Sequence, residues 1–328
     1  MAMDTNKKLS ILYVLEILKE YTDENHYLTQ NEILKKIYSI YGMTCERKSI
    51  GANIDALIDF GYDIVKVPRK GCYLAERTIE PSEVSFIVDA LFSSKSLSSQ
   101  HSKDLALKIS SLLSTYQRKQ YNYVYKSGEI NRTNNKELFY NIEIIHEAIE
   151  KKKQIQFNYN RFYYKGKNKS KKSYIVNPYF LINSQGKYFL VCNYDYFDEI
   201  GNYKLDRICN IKILDSDAKP ITKVKGFEKG IDITKYANEN IYMFATQSIT
   251  AKIKIYNDWA TAYVDEWFGK NARFYEKGNE IFAEIEANES SLVYWCLQYG
   301  QVVELLEPLS TREKIKDIVK EMNNKYKY

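Results

Sequence analysis

Lysine, arginine and tyrosine carry most of the chemistry this sequence can offer. Arg47, Lys48, Ser49 and Asn53 fall within one predicted helix, and Arg69 and Lys70 lie in a turn shortly after it. Side chains of these types donate hydrogen bonds to phosphates and to base edges of double-stranded DNA. Farther along come Tyr159, Lys172, Tyr188, Phe189, Lys204 and Arg207. A cation beside an aromatic ring can neutralise a phosphate and stack a base, so these six form a candidate ligand-binding set. Other chemistries find little support. Cys45, Cys72, Cys192, Cys209 and Cys296 are scattered, with no Cys-x-x-Cys pair, so neither a disulfide frame nor a zinc frame is present. His26, His101 and His146 are isolated, and no glycine-rich phosphate loop occurs. Asp195, Asp198 and Glu199 cluster, and they read as solvating a hairpin tip rather than binding magnesium. The expectation is a binding protein, not an enzyme, with no metal and no cofactor.

The elements that position these residues are those of a multidomain α+β protein. Its 328 residues suit two or three domains, and 45% hydrophobic with 27% charged is an ordinary globular balance. Thirty Tyr and fourteen Phe can build more than one core. No apolar run reaches the roughly 18 residues of a membrane span, and residues 1–8 lack the apolar centre of a secretory signal. A cytoplasmic, nucleoid-associated protein with no membrane partner is expected. The net charge of +6 is uneven. Residues 1–80 carry 11 Lys/Arg against 12 Asp/Glu, or −1, whereas residues 141–225 carry 16 against 9, or +7. The middle third is therefore where anions are drawn.

Residues 9–21 show a helical face at Ile11, Val14, Leu15 and Leu18. Thr29-Gln30-Asn31-Glu32 is a capping box, opening a helix with stripe Ile33, Ile37 and Ile40 that Gly42 closes. A third helix, read as capped by Thr44, buries Ile50, Ile54, Leu57 and Ile58 and ends at Gly61. Its opposite side carries Lys48, Ser49 and Ala52, flanked by Arg47 and Asn53. Strands at 63–67 and 72–75 flank the turn Pro68-Arg69-Lys70-Gly71. Three helices and a hairpin are the layout of a winged helix-turn-helix over residues 1–80. Residues 81–137 read as a helical linker and dimerisation region, with Phe86, Ile87, Ala90, Leu91 and Phe92 and then Leu105, Ile109, Leu112 and Leu113 as apolar stripes.

Residues 138–225 lead with a helix at Ile142, Ile145 and Ile149 and continue in strands at 154–159, 174–182, 186–194 and 202–214. Residues 161–173 form a basic loop. This pattern suits a small SH3/Sm-like β-barrel. On the last strand, Lys204, Asp206 and Ile208 are predicted to share one face, and Leu205 and Arg207 the other. Tyr188 and Phe189 face opposite ways, so only one can reach a pocket. Residues 226–246 read as a connector, and 247–328 follow the order βαββαβ of a ferredoxin-like domain.

The segment Gly186-Lys-Tyr-Phe-Leu-Val191, with Val176-Asn177-Pro178 before it and Lys204-Leu-Asp-Arg-Ile208 after it, resembles the signature of the WYL domain. Trp295-Cys-Leu-Gln-Tyr-Gly300, Val303 to Pro308 and Arg312 are similar to the extension that follows such domains, and Arg47-Lys-Ser-Ile50 with Leu57 to the winged helix that precedes them. The resemblance implies a bacterial or phage-encoded transcriptional regulator, usually a homodimer, whose winged helices bind operator DNA. Its barrel would sense an oligonucleotide or nucleotide-like effector. Tyr188-Phe189-Leu190 stands where the family has Trp-Tyr-Leu, Lys204 replaces an arginine, and Ala52-Asn53 replaces an Arg-Asp pair. Lysine lacks the bidentate fork of arginine, so the ligand or its strength should differ. An alternative is an adaptor that binds single strands without operator specificity.

Overall fold

We analysed a computed structural model that describes residues 9–119, 135–160, 172–197, 199–244 and 246–327. The chain is a mixed α/β protein of two compact units, Met1–Asn134 and Asn135–Tyr328. The basic loop predicted at 161–173 lies outside the described residues except for Lys172 and Ser173, as does Asp198.

The first unit begins with α1 (Ser10–Tyr21), α2 (Gln30–Tyr41) and α3 (Arg47–Phe60), followed by the antiparallel pair β1 (Ile64–Val67) and β2 (Gly71–Leu74). Thr29 and Glu32 form the reciprocal capping box of α2, and Gly42 and Gly61 end α2 and α3 in the left-handed conformation. The first residue of α3 follows Glu46, not Thr44, and no side chain caps it. Ile33, Ile37, Ile50, Ile54 and Leu57 join Val14, Ile17 and Leu18 in one core. Ile40 and Ile58, predicted to face that core, are exposed, while the neighbouring Leu57 is buried. Leu28 exchanges backbone hydrogen bonds of 3.0 and 2.9 Å with Cys72, which ties the hairpin to the entrance of α2. There follow α4 (Pro81–Ser93), α5 (Ser99–Ser110) and the single turn α6 (Thr115–Arg118). Val84, Val88, Phe92, Ala106 and Leu113 form their core. Phe86 and Leu112, predicted on the apolar stripes, are exposed instead.

The second unit opens with α7 (Leu138–Glu150) and then β3 (Lys153–Tyr159), β4 (Lys172–Ser184), β5 (Lys187–Asn193), β6 (Ile200–Lys204) and β7 (Ile208–Asp217). These strands form an antiparallel sheet in the order β6-β5-β4-β3-β7. The single strand predicted at 202–214 is two strands broken by a 3-10 turn at Leu205–Arg207. The polar–apolar alternation there imitates a continuous strand, yet Leu205 is fully buried and turns the chain inward. The two edge strands of the sheet are thus consecutive in the chain and three residues apart, which requires the sheet to curl. After α8 (Ile233–Glu239) come β8 (Ser248–Ile255), α9 (Thr261–Phe268), β9 (Ala272–Lys277), β10 (Glu280–Asn288), α10 (Glu289–Gln298), β11 (Val303–Glu307) and α11 (Leu309–Lys325). Their antiparallel sheet has the order β11-β8-β10-β9, with α9 and α10 contributing Val264, Phe268, Leu292 and Trp295 to one core with its strands.

Candidate nucleic-acid and anion-binding surfaces

The six residues predicted to meet DNA separate into three behaviours. Arg47, Lys48, Arg69 and Lys70 are exposed, the first pair at the start of α3 and the second at the hairpin tip. The free backbone N–H groups at a helix start favour anions, so the two cations there reinforce a field the backbone already sets up. Ser49 is half-buried. Asn53 does not belong to this surface: its side-chain amide donates to the Ser10 hydroxyl at 2.9 Å and fastens α3 to α1. Arg47 Nε donates to the Gln30 side-chain carbonyl at 3.1 Å, and Gln30 lies against Gly51, where a Cβ would come within 3.0 Å of its amide nitrogen. Gln30 therefore orients Arg47, a role for which its place directly after the Thr29 cap is the only sequence signal. Lys70 lies 5.5 Å from the centroid of the Tyr27 ring. Arg69, in the middle of the three-residue tip 68–70, adopts a positive φ of 65°.

In the second unit, Tyr159 is the joint of the predicted ligand set. Its ring packs edge-on against Tyr203 at 5.0 Å and Tyr174 at 6.2 Å. Its hydroxyl accepts the Lys204 backbone N–H at 3.3 Å and a hydrogen bond from the Arg207 guanidinium. Burial raises the Tyr159 pKa, with the charge of Arg207 opposing that shift. Lys172 sits 5.6 Å over the Tyr174 ring. Lys187 is carried by β5, Lys204 by the end of β6, and Arg207 by the 3-10 turn that follows it. The Lys204 amine is held below the ordinary lysine value first by burial and then by Lys187 and Arg207, with Asp206 pulling the other way. Arg207 was expected on a strand face; it lies instead in the 3-10 turn, which Asn160 fixes by donating its backbone N–H to the Arg207 carbonyl at 2.9 Å.

Phe189, predicted in the ligand set, lies in a hydrophobic core. It is 6% exposed and packs with Phe180, Ile182, Val191, Tyr236 and Met243. Tyr188, on the opposite face of β5, is half-buried. Tyr203 and Tyr194, which the sequence reading missed, join hydroxyl to hydroxyl beside Tyr174. Burial, followed by the Tyr194 bond, drives the Tyr203 pKa upward. Only the aromatic pair Phe157 and Tyr159, two residues apart on β3, could have signalled this cluster.

Residues 140–213, the span from α7 into β7, match the WYL domain family. The chain carries a WYL domain. The solved structures similar to it include proteasome accessory factor B/C (PafBC) of Arthrobacter aurescens, at 14% identity over 99% of this chain and 49% of that one, with a TM-score of 0.30. They also include a CRISPR Cas-related protein, at 15% identity over 97% of this chain and 84% of that one, with a TM-score of 0.40. The chain thus spans about half the length of the PafBC chain. No curated protein matches it.

The WYL domain is braced by a polar network at the far ends of its strands. Asn177, fully buried, donates to Asn193 at 2.9 Å and to Asp195 at 2.7 Å, and accepts from Gln154 at 2.9 Å and from the Lys219 N–H at 3.0 Å. Gln154 also donates to Asp195 at 2.6 Å, and the Tyr179 hydroxyl donates to Asn193 at 2.7 Å. Asp195 is thereby a structural acceptor at the base of the β5–β6 hairpin. Among the described residues, no group of three or more His, Cys, Asp or Glu could hold a metal ion.

Proposed function

We propose that the protein is a homodimeric transcriptional regulator, without enzymatic activity of its own, working in the cytoplasm on nucleoid DNA. In this reading residues 1–80 are a winged helix-turn-helix, with α3 as the duplex-reading helix and the β1–β2 hairpin as its wing. Residues 81–137 link and pair the protomers. The WYL domain at 138–225 is an SH3-like barrel that senses an anionic, nucleic-acid or nucleotide-like ligand, and a connector at 226–246 leads to the domain at 247–328. The observation that carries the reading is the pairing of exposed cations at the start of α3 with exposed cations at a hairpin tip anchored to Leu28. Two such points, set on rigid elements, suit the phosphates on either side of a groove.

The test is a gel shift on the DNA upstream of the gene itself. Lys48→Ala and Arg69→Ala should each weaken duplex binding and lower the slope of log affinity against log salt by about one. Unchanged duplex affinity in both variants would remove the DNA-reading role. The net charge of −1 over residues 1–80 favours one second reading, a single-strand adaptor that binds mainly through the basic middle of the chain. That reading requires both variants to bind single strands and duplex alike as the unaltered protein does.

A further inference from the structure

Lys187, Lys204 and Arg207 have no ion-pair partner among the described residues, although Lys151, Lys153, Lys235, Lys252 and Lys254 of the same unit all do. All three are half-buried, which costs free energy unless a counter-charge arrives. In the β5–β6 register Phe189 faces Lys204, and Lys187 is two residues from Phe189, so both lysines rise from one face of the sheet. Tyr203, the neighbour of Lys204, points to the other face, into the ring cluster. The rings of that cluster are engaged with one another: Tyr159 with Tyr203 at 84°, Tyr159 with Tyr174 at 82°, and Phe157 with Tyr203 at 72°. These contacts engage the rings chiefly with one another rather than with the cations. The Tyr159 hydroxyl, which accepts the Lys204 N–H and bonds Arg207, links the ring cluster to them.

The charge count then selects the ligand group. The cations number three and Asp206, the carboxylate acting on Lys204, subtracts one, leaving about +2. An internal phosphodiester of a nucleic acid brings a single negative charge, whereas a terminal phosphate monoester brings about −1.5 to −2 at neutral pH. Resting on the sensing role assigned above to the WYL domain, we propose that the Lys187–Lys204–Arg207 cluster binds a terminal phosphate monoester, the phosphorylated end of a strand or a mononucleotide, and reads it with little regard to the base. Arg207, held by Tyr159, orients the phosphate, and the two lysines match its second charge.

The full-length protein would be titrated with a fluorescent oligothymidylate of about ten residues carrying a 5′-phosphate, a 3′-phosphate or hydroxyls at both ends. At least one phosphorylated form should bind about tenfold more tightly than the hydroxyl form, the size expected for charge-assisted hydrogen bonds. Lys187→Gln and Lys204→Gln should erase that preference, so that phosphorylated and hydroxyl-ended strands bind alike. The preference should also shrink as the pH falls through about 6, where the monoester dianion takes up a proton and loses one of its two charges. Competition by thymidine monophosphate, by inorganic phosphate or by neither separates a nucleotide, a bare phosphate and a strand end as the source. Equal affinity for all three oligonucleotides overturns the end-reading proposal while leaving the sensing role standing. Failure of every oligonucleotide and of both phosphates to bind removes the sensing role, and the proposal with it.

Discussion

Gly71 offers the sharpest test of how the β1–β2 hairpin is held. A Cβ added there would lie 2.3 Å from the Leu28 carbonyl oxygen, 2.4 Å from its carbon and 2.7 Å from the Thr29 nitrogen. All three are backbone atoms at the entrance of α2, so no side chain can swing aside. Gly71 also has a φ of 118°, which an L-residue with a side chain adopts at a cost of about 1–2 kcal/mol. Gly71→Ala must therefore push the hairpin off Leu28 and break the two Leu28–Cys72 hydrogen bonds, worth about 1 kcal/mol each. The sum is a loss of about 3–4 kcal/mol from the first unit, a large share of a typical domain stability of about 5–15 kcal/mol. Gly42 is the internal control, since it has a φ of 66° but nothing within 4 Å of its added Cβ. Gly42→Ala should cost only the backbone term of about 1–2 kcal/mol. Amide hydrogen exchange read at Leu28, Cys72 and the core of α3 measures both variants within the intact chain. Faster exchange at Leu28 and Cys72 in Gly71→Ala than in Gly42→Ala is expected. Equal protection in the two variants would refute the idea that close backbone contact anchors the hairpin.

The remaining predictions concern buried polar groups. Burial alone would raise the Asp23 pKa, but hydrogen bonds from Ser114, His26 and the Asn25 N–H outweigh it and hold the carboxyl below its usual value. A depressed carboxylate adds stability above the unfolded-state pKa and loses it as pH falls through the folded one. Asp23→Asn should therefore destabilise the first unit at pH 7, with the deficit closing below about pH 4 in acid unfolding curves. In the WYL domain, Asn177→Asp would place a second carboxylate beside Asp195 in a fully buried position. It should lower the melting temperature at neutral pH and regain part of the loss in mild acid, whereas a pH-independent loss would show that shape rather than charge is at issue.

Much of the fold could be read from short windows of sequence. The capping box of Thr29 and Glu32, the left-handed glycines 42 and 61, and the Pro68–Gly71 turn each act over three or four residues, and each appears where the pattern places it. The site was less legible. Asn53 looked like a donor on an outward helix flank, but its partner, Ser10, lies 43 residues away in sequence. Tyr188 and Phe189 alternate by the strand rule, yet the rule does not say which face the connector covers; Tyr236 and Met243 cover that of Phe189.

Lys204 to Ile208 marks the boundary most plainly. Residue types alone determined that this stretch is cationic, partly apolar and close to an aromatic strand. Whether it runs straight or bends depended on burying Leu205 and on Asn135 and Asn141 donating to the carbonyl of Ile208, contacts spanning 73 and 67 residues. Capping, periodicity and turn chemistry are settled by neighbours along the chain, so sequence determines them directly. The pairing of a buried polar or charged group is settled by whichever distant group reaches it first in space, and only the folded structure decides that.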